Sequence, residues 1–171
     1  KMDNLPFDMI YEIIDFLNED IATKFKLNFN VDYKVLKLDE GLSLKYYNDV
    51  YYRNYINRNF TKISLNLSDT KITDVSILTG IYDLNLSSCR RITNFRPLKY
   101  LSNCHKLDLS FTNIIDVSIL SGIYDLNLSE CVKIVNFDKL DTSTNRKLNL
   151  SNTKIEDVSN LKGIRDLNLA G

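Results

Sequence analysis

Several residue types are scarce in this chain of 171 residues, and long apolar runs are lacking. Two of these features exclude a class of protein. Tryptophan is absent, proline occurs twice and cysteine three times. A small, odd number of cysteines does not support a disulfide framework. No apolar run approaches the roughly 18 residues of a membrane-spanning helix, and no signal-peptide core is recognisable. We therefore expect neither a disulfide-rich secreted domain nor a membrane protein.

The charge of the chain is balanced, with 22 basic and 22 acidic residues and a formal net charge of zero. This balance does not indicate a basic arm for nucleic acid or a patch for a membrane surface. Histidine occurs once, at His105, where we expect an exposed loop, and the sequence contains no glycine-rich phosphate loop or Cys/His ligand set. We therefore predict a protein that is not an enzyme and that uses no cofactor, metal, nucleic acid or membrane.

One hydrophobic phrase, Leu-x-Leu followed by a polar step, returns along most of the chain. It begins at six leucines: Leu65, Leu84, Leu107, Leu126, Leu148 and Leu167. The spacing between successive copies alternates between 19 and 22–23 residues. The phrase and its period fit the leucine-rich repeat, in which each repeat contributes one strand of a parallel sheet. We predict an α/β leucine-rich-repeat solenoid of six repeats over residues 61–171, preceded by a helical segment over residues 1–60.

A small residue follows each of the first five phrases at a fixed position. Threonine and cysteine alternate there, at Thr70, Cys89, Thr112, Cys131 and Thr153. Such a side chain can turn the chain off the sheet and satisfy buried backbone groups. The shorter repeats continue with Asp-Val-Ser, as at residues 74–76, and leave room for a turn or a single 3₁₀ coil. We interpret these aspartates as turn caps.

The concave face of the predicted sheet follows from strand alternation, which sends the residues on either side of each leucine outward. The column before the first leucine alternates aspartate and lysine over most of its length, so we expect a ladder of weak, exposed ion pairs. Asp69, Asp108 and Glu130 are left without a predicted counter-ion, and Phe111 is the large apolar residue among them. Two interpretations stay open: a partner-binding face that is anchored by Phe111 and favours a basic segment, or a solvated sheet.

The first helix is predicted from residues 4–17, which read NLPFDMIYEIIDFL. Proline suits the first turn of a helix, and the apolar residues that follow recur at helical spacing on one broad face. A second apolar-periodic stretch, predicted to be helical, continues to Val35 and Leu38. The tyrosine-rich segment after Gly41 is predicted to form the third helix of the N-terminal segment.

The pattern in residues 5–17, Leu-Pro-x-(Glu/Asp)-(Met/Ile)-Ile-x-x-Ile-Ile-x-x-Leu, resembles the first helix of an F-box. The longer repeats are similar to the cysteine-containing leucine-rich repeats found downstream of F-boxes, with Cys89 and Cys104 at the two cysteine positions. In the next copy Asn145 replaces the second cysteine. The chain therefore resembles F-box/leucine-rich-repeat proteins, and its richness in Asn, Ile, Lys and Tyr favours those of giant DNA viruses or protists.

This resemblance implies the substrate-recognition subunit of a cullin-type ubiquitin ligase. The N-terminal helices would dock a Skp-type adaptor, and the repeats would hold an unknown substrate. The adaptor-docking residues that the resemblance implies are Leu5, Pro6, Ile10, Ile13 and Leu17. The alternative is a repeat scaffold with no ubiquitin role, whose N-terminal helices serve as the terminal cap that a solenoid needs.

Two further features bear on location and assembly. Glycosylation acceptor sequences begin at Asn66, Asn85, Asn127 and Asn149, but glycans on predicted strands would block the sheet, which favours a cytoplasmic or nuclear protein. The sequence stops in mid-repeat at Gly171. We expect either a longer natural chain or a second copy that covers the last leucine layer in an end-to-end dimer.

Overall fold

The computed structural model describes residues 35–171, except for the side chain of Asn59. The described residues form a parallel sheet of seven strands, which follow one another in the order of the chain. The strands are β1 (Val35–Leu38), β2 (Lys62–Asn66), β3 (Asp83–Asn85), β4 (Lys106–Asp108), β5 (Asp125–Asn127), β6 (Lys147–Asn149) and β7 (Asp166–Asn168). Sequential order with parallel pairing means that each repeat contacts its neighbours, as in a solenoid. The chain is a leucine-rich-repeat solenoid, as predicted.

The leucines of the repeated phrase set the register of the sheet. Leu65 pairs with Leu84, and the same register carries on through the first leucine of every later repeat. Leu84, Leu107 and Leu126 are each at most 1% exposed. Burying a leucine contributes about 1.5–3 kcal/mol, so the leucine layers supply a large part of the stability of the stack.

The threonine and cysteine positions serve the buried ends of the strands. The hydroxyl of Thr70 and the thiol of Cys89 both donate to the carbonyl oxygen of Leu67, at 2.7 and 2.9 Å. Thr153 makes the same bond to Leu150 at 2.7 Å. A carbonyl oxygen inside the stack would otherwise lose hydrogen bonding that water provides in the unfolded chain. The predicted role of this position is confirmed.

The convex side of the solenoid contains short turns rather than α-helices. Three 3₁₀ segments lie there, at Ser76–Leu78, Arg96–Tyr100 and Phe137–Lys139. The carboxylate of Asp74 accepts hydrogen bonds from the backbone N–H and the hydroxyl of Ser76, both at 2.8 Å. The same pair of bonds lowers the pKa of Asp74 from its ordinary value. The interpretation of these aspartates as turn caps is confirmed.

Two helices cover the first strands, α1 (Glu40–Asn48) and α2 (Val50–Asn59). Asp39 caps α1 through the backbone N–H of Leu42, and Asp49 caps α2 in the same way. The hydroxyl of Ser43 donates to the carbonyl oxygen of Leu38 at 3.1 Å and accepts from the N–H of Asn66 at 3.0 Å. This buried serine therefore ties α1 to both β1 and β2.

The sheet begins earlier than the sequence pattern indicated. Residues 35–38 were expected to continue a helical stretch, but they form β1, which pairs in parallel with β2. Leu36 and Leu38 are buried while Lys37 between them is exposed, which is the two-residue period of a strand. The tyrosine-rich segment is also two helices rather than one, because the chain turns at Asp49.

Candidate functional site

The residue between the two leucines of each Leu-x-Leu phrase is the last residue of its strand. At this position the side-chain oxygen accepts a hydrogen bond from the backbone N–H two residues later, at 2.9–3.2 Å, in six repeats: Asn66, Asn85, Asp108, Asn127, Asn149 and Asn168. This is the Asx turn, which gives the backbone an alternative to the strand ladder. The asparagine column that lines the concave face is therefore held in place by its own backbone.

Asp108 is the charged member of that column, and its carboxylate is well ordered by neutral donors. One oxygen accepts from the N–H of Ser110 at 2.9 Å and from its hydroxyl at 2.6 Å. The other accepts from the amide of Asn127 in the next repeat at 2.9 Å. Asp108 is thus fixed in position while no cation of residues 35–171 forms an ion pair with it.

Five residues that follow the strands adopt a left-handed backbone conformation. They are Asp69, Ser88, Phe111, Glu130 and Asn152, with φ between 53° and 61°. We call this set the left-handed column. Aspartate and asparagine tolerate such angles, whereas a bulky side chain at positive φ is an outlier that costs about 1–2 kcal/mol. Sequence reasoning missed this geometry, because none of the five residues is glycine.

Phe111 combines this conformation with exposure. Its side chain is 47% exposed, although its N–H donates to the carbonyl oxygen of Ser129 at 3.0 Å and so fixes the backbone. Glu130, the next residue of the column, accepts a hydrogen bond from the amide of Asn152 at 2.7 Å. Asp69 is exposed. Phe111 therefore stands as an aromatic projection among polar and acidic neighbours at the ends of the strands.

The expected ion-pair ladder forms at one step. The ammonium nitrogen of Lys106 lies 3.9 Å from a carboxylate oxygen of Asp125, which is the one ion pair that the described part of this column makes. Asp83, which the register also places beside Lys106, has no such partner among residues 35–171. One oxygen of its carboxylate is buried without a hydrogen bond. Burial raises the pKa of Asp83, against the opposing effect of His105, Lys106 and Lys37.

A concavity of about 290 Å³ opens over the first four strands. Its polar lining comes from the two columns that flank the leucines: Lys37, Ser64, Asn66, Asp83, Asn85, Lys106 and Asp108. The lining therefore carries charges of both signs together with side-chain amides. This chemistry suits recognition of a polar or charged side chain more than of a large apolar ligand.

His105 does not lie in an exposed loop as expected. Its ring stacks between two tyrosines, with centroid distances of 5.1 Å to Tyr82 and 4.7 Å to Tyr124. The three rings come from neighbouring repeats, each just before its strand, and they form an aromatic stack along one side of the sheet. Tyr82 and His105 are half-buried in it, and Tyr124 is exposed.

The predicted adaptor-docking residues lie outside the described part of the chain: Leu5, Pro6, Ile10, Ile13 and Leu17. Their role stays a prediction. Within residues 35–171, no group of three or more His, Cys, Asp or Glu side chains is arranged to hold a metal ion. No helix in that same range has the length and apolar character to cross a membrane.

No protein-family model and no curated protein matches the sequence. Similar solved structures include an internalin (inlF) from Listeria monocytogenes, at 23% identity and a TM-score of 0.46, over 75% of this chain and 46% of that one. Internalin C2 (inlC2) from the same species is 25% identical, with a TM-score of 0.42, over 84% of this chain and 77% of that one. The chain thus spans less than half the length of the first internalin. Its leucine-rich-repeat fold is established by the register of its own seven strands.

Proposed function

We propose that this chain is a protein-binding module that holds a partner along the ends of its strands, with Phe111 as the anchor. The observation that carries the proposal is the conformation of Phe111: a half-exposed aromatic side chain at a φ of 57°. Such a residue costs the fold free energy and returns little buried area to it. Exposed aromatic anchors surrounded by polar groups are the usual centres of protein interfaces.

The surroundings of Phe111 favour a basic partner segment. Asp69 and Glu130 lie in the same left-handed column, and Asp108 lies in the neighbouring asparagine column. Among residues 35–171 none of the three carboxylates forms an ion pair. Negative charge around an apolar anchor steers and orients a positively charged partner, and this contribution weakens as salt rises.

Affinity capture with matched variants tests this proposal. Phe111→Asn removes the anchor at a position whose backbone suits asparagine, while Tyr100→Ser removes a 61% exposed aromatic side chain from the convex 3₁₀ segment. We expect the wild type and Tyr100→Ser to retain the same partner from cell extract and Phe111→Asn to lose it. Equal retention by all three proteins would support the solvated-sheet interpretation instead.

The finer proposal is that the N-terminal segment docks a Skp-type adaptor of a cullin-type ubiquitin ligase. It is supported by the F-box-like pattern of residues 5–17. It is also supported by α1 and α2, which cover the first strands through Tyr46 and Ile56, both fully buried. These helices already cover the first strands, so the need for a terminal cap does not by itself account for the helix predicted over residues 4–17.

Calorimetry with a purified eukaryotic Skp-type adaptor tests the docking proposal. We expect binding in the micromolar range or tighter, which a Pro6→Ala/Ile10→Asp double variant loses while its circular dichroism stays that of the wild type. A folded wild-type chain that does not bind would leave a repeat scaffold with no ubiquitin role. The resemblance further favours a viral or protist origin, with the ligase then belonging to a host if the protein is viral.

Location and assembly follow from the same proposal. A ligase subunit acts in the cytoplasm or nucleus, and the free, buried state of Cys89, Cys104 and Cys131 is compatible with a reducing compartment. Burial raises the pKa of Cys104 to about 12, so its thiol stays protonated and unreactive. An end-to-end dimer through the last repeat would be detected as a molecular mass that rises with protein concentration.

A further inference from the structure

The outer column before the first leucine has one break in its alternation of charge. Across the seven paired strands this column reads Lys37, Ser64, Asp83, Lys106, Asp125, Lys147 and Asp166. From Asp83 onward, each aspartate is followed by a lysine or preceded by one. Ser64 is the one uncharged member, and its side chain is too short to reach across the roughly 4.8 Å between strands.

This break leaves Asp83 without a counter-ion. On one side it faces Ser64, and on the other it faces Lys106, whose ammonium lies 3.9 Å from Asp125 instead. No hydrogen bond or ion pair from residues 35–171 reaches the Asp83 carboxylate, and one of its oxygens is buried. A partly buried, unpaired carboxylate is unfavourable until a cation or a donor reaches it.

The missing side chain at position 64 also makes room. The concavity of about 290 Å³ includes Ser64, Asp83 and Lys37 in its lining. Asn66 and Asn85 line it too, and their oxygens already accept from the N–H groups of Ser68 and Ser87. The gap, the unpaired carboxylate and the fixed amides therefore coincide in one place on the concave face.

We propose that this concavity receives a lysine side chain of the partner protein, with its ammonium group over Ser64 and paired with Asp83. The inference rests on the proposed function, because it names the chemistry of the partner. The column itself provides the template, since Lys106 lies beside Asp125 in the same way two strands further along the sheet. The partner's lysine supplies from outside the charge that Ser64 does not.

The geometry selects lysine over arginine. Only one oxygen of Asp83 is open to a ligand, because the other is buried. A guanidinium group gains most from a carboxylate when both oxygens are available for a two-point contact. An ammonium group is a compact point charge with three donors, so one can point to Asp83 and another to the hydroxyl of Ser64.

Other charged groups around the concavity limit the affinity. Lys37 on β1 and Lys106 on β4 both line it and repel an incoming cation. Asp108 on β4 lines it and attracts one, while His105 and Asp125 also act on Asp83 electrostatically. A single lysine is therefore a weak ligand, and Lys37→Met is expected to strengthen its binding by removing a competing ammonium.

Nuclear magnetic resonance with a minimal peptide probe tests the proposal on the whole chain. The probe is acetyl-Gly-Lys-Gly-amide, and its control carries an acetylated lysine of nearly the same shape without charge. We expect saturable shifts of the backbone amides of Ser64, Asp83 and Asn85 with the charged probe and none with the acetylated one. Equal shifts with both probes would overturn the proposal.

Variants locate the site and keep the test independent of folding. Ser64→Lys fills the gap with a lysine of the chain itself, and Asp83→Asn removes the carboxylate. Each substitution is expected to lower the affinity for the lysine probe by about tenfold or more. Asp166→Asn, in the same column but far from the concavity, is expected to bind as the wild type does. Wild-type affinity of a folded Asp83→Asn variant would contradict the proposal. Tighter binding of a matching arginine peptide, acetyl-Gly-Arg-Gly-amide, than of the lysine peptide would contradict it as well.

This test is separate from that of the proposed function. Phe111 does not line the concavity, and the peptide probe does not depend on any partner. If the probe binds and partner capture is unaffected by Phe111→Asn, the lysine site is supported and the Phe111 anchor is contradicted. If capture depends on Phe111 and the probe does not bind, the anchor is supported and the lysine site is contradicted.

Discussion

Thr112 and Cys131, one repeat apart, donate to the same carbonyl oxygen, that of Leu109, at 2.7 and 3.0 Å. Their own side-chain oxygen and sulfur lie 3.6 Å apart. Thr70 and Cys89 repeat this arrangement at Leu67. The alternation of threonine and cysteine in the sequence is therefore a pairing of repeats, in which two donors from adjacent repeats share one buried acceptor.

This shared acceptor predicts non-additive stability. In Thr112→Val or Cys131→Ala alone, the remaining side chain still donates to Leu109, so each loss is partly compensated. In the double variant the carbonyl loses both, and we expect the combined destabilisation to exceed the sum of the single effects by about 1 kcal/mol. Urea denaturation measures it. Cys131→Ala with Thr153→Val, which donates to Leu150 instead, should be additive, and additivity of the first pair would contradict the account.

Phe111→Asn is predicted to stabilise the fold. Asparagine accepts the left-handed conformation that Phe111 occupies, as Asn152 does in the same column. We expect the free energy of unfolding to rise by about 1 kcal/mol, whereas Phe111→Leu, which keeps a bulky side chain at positive φ, should give no such gain. A Phe111→Asn protein no more stable than the Leu variant would mean that the conformation carries no strain.

Two aspartates are predicted to titrate on opposite sides of the ordinary value of 3.8. Hydrogen bonds from the hydroxyl of Ser118, the amide of Asn136 and the N–H of Ser118 lower the pKa of Asp116, while burial raises the pKa of Asp83. The stability from Asp116 is therefore present above its unfolded pKa and lost as pH falls through the folded one. The contribution of Asp83 has the opposite sign, being lost as pH rises through its raised pKa, so Asp83→Asn should stabilise the protein at neutral pH.

Carbon-13 detection of the side-chain carboxyl groups measures both midpoints in one titration. Asp116→Asn and Asp83→Asn assign the two resonances. A midpoint of Asp83 at or below that of Asp116 would show that burial does not dominate at Asp83.

Cys104→Asn is predicted to destabilise the fold. The thiol of Cys104 donates to the carbonyl oxygen of Lys106 at 3.1 Å. Asn145 stands at the equivalent position two repeats later; its amide nitrogen donates to the carbonyl oxygen of Ile123 at 2.6 Å, but its side-chain oxygen is buried without a partner. Asparagine at position 104 would bring the same unpartnered oxygen, so we expect the free energy of unfolding to fall by about 1 kcal/mol in urea denaturation. A Cys104→Asn protein as stable as the wild type would refute the equivalence.

Much of the fold could be predicted because the same sequence pattern occurs in every repeat. The buried leucines, the turn-capping aspartates such as Asp74 and the hydrogen bond from Thr70 to a buried carbonyl group all follow from local rules that recur in the repeats. The sharing of one acceptor by two repeats did not follow from them. By contrast, β1 is a single strand of four residues outside the repeated phrase. Its Leu-Lys-Leu alternation is short enough to fit a helix as well, and its pairing with β2 decided the outcome.

The candidate site was harder to predict, since it depends on choices between neighbours. The alternation of Asp83, Lys106 and Asp125 was visible in the sequence, but not which of the two aspartates the lysine would approach. The left-handed column was hidden because its members are Asp, Ser, Phe, Glu and Asn, with no glycine to mark a positive φ. Asp108 was predicted as a charged residue of the concave face, but the hydrogen bonds from Ser110 and Asn127 that fix its carboxylate could not be predicted without the structure.

Photo-crosslinking tests the central claim most directly. Benzoylphenylalanine, which keeps the aromatic character of the residue it replaces, is placed at Phe111 in one protein and at Tyr100 on the convex side in the other. Irradiation in cells should yield a discrete protein adduct from position 111 and none from position 100. The same adducts from both positions, or none from either in a folded protein, would contradict the assignment of Phe111 as the anchor of a partner.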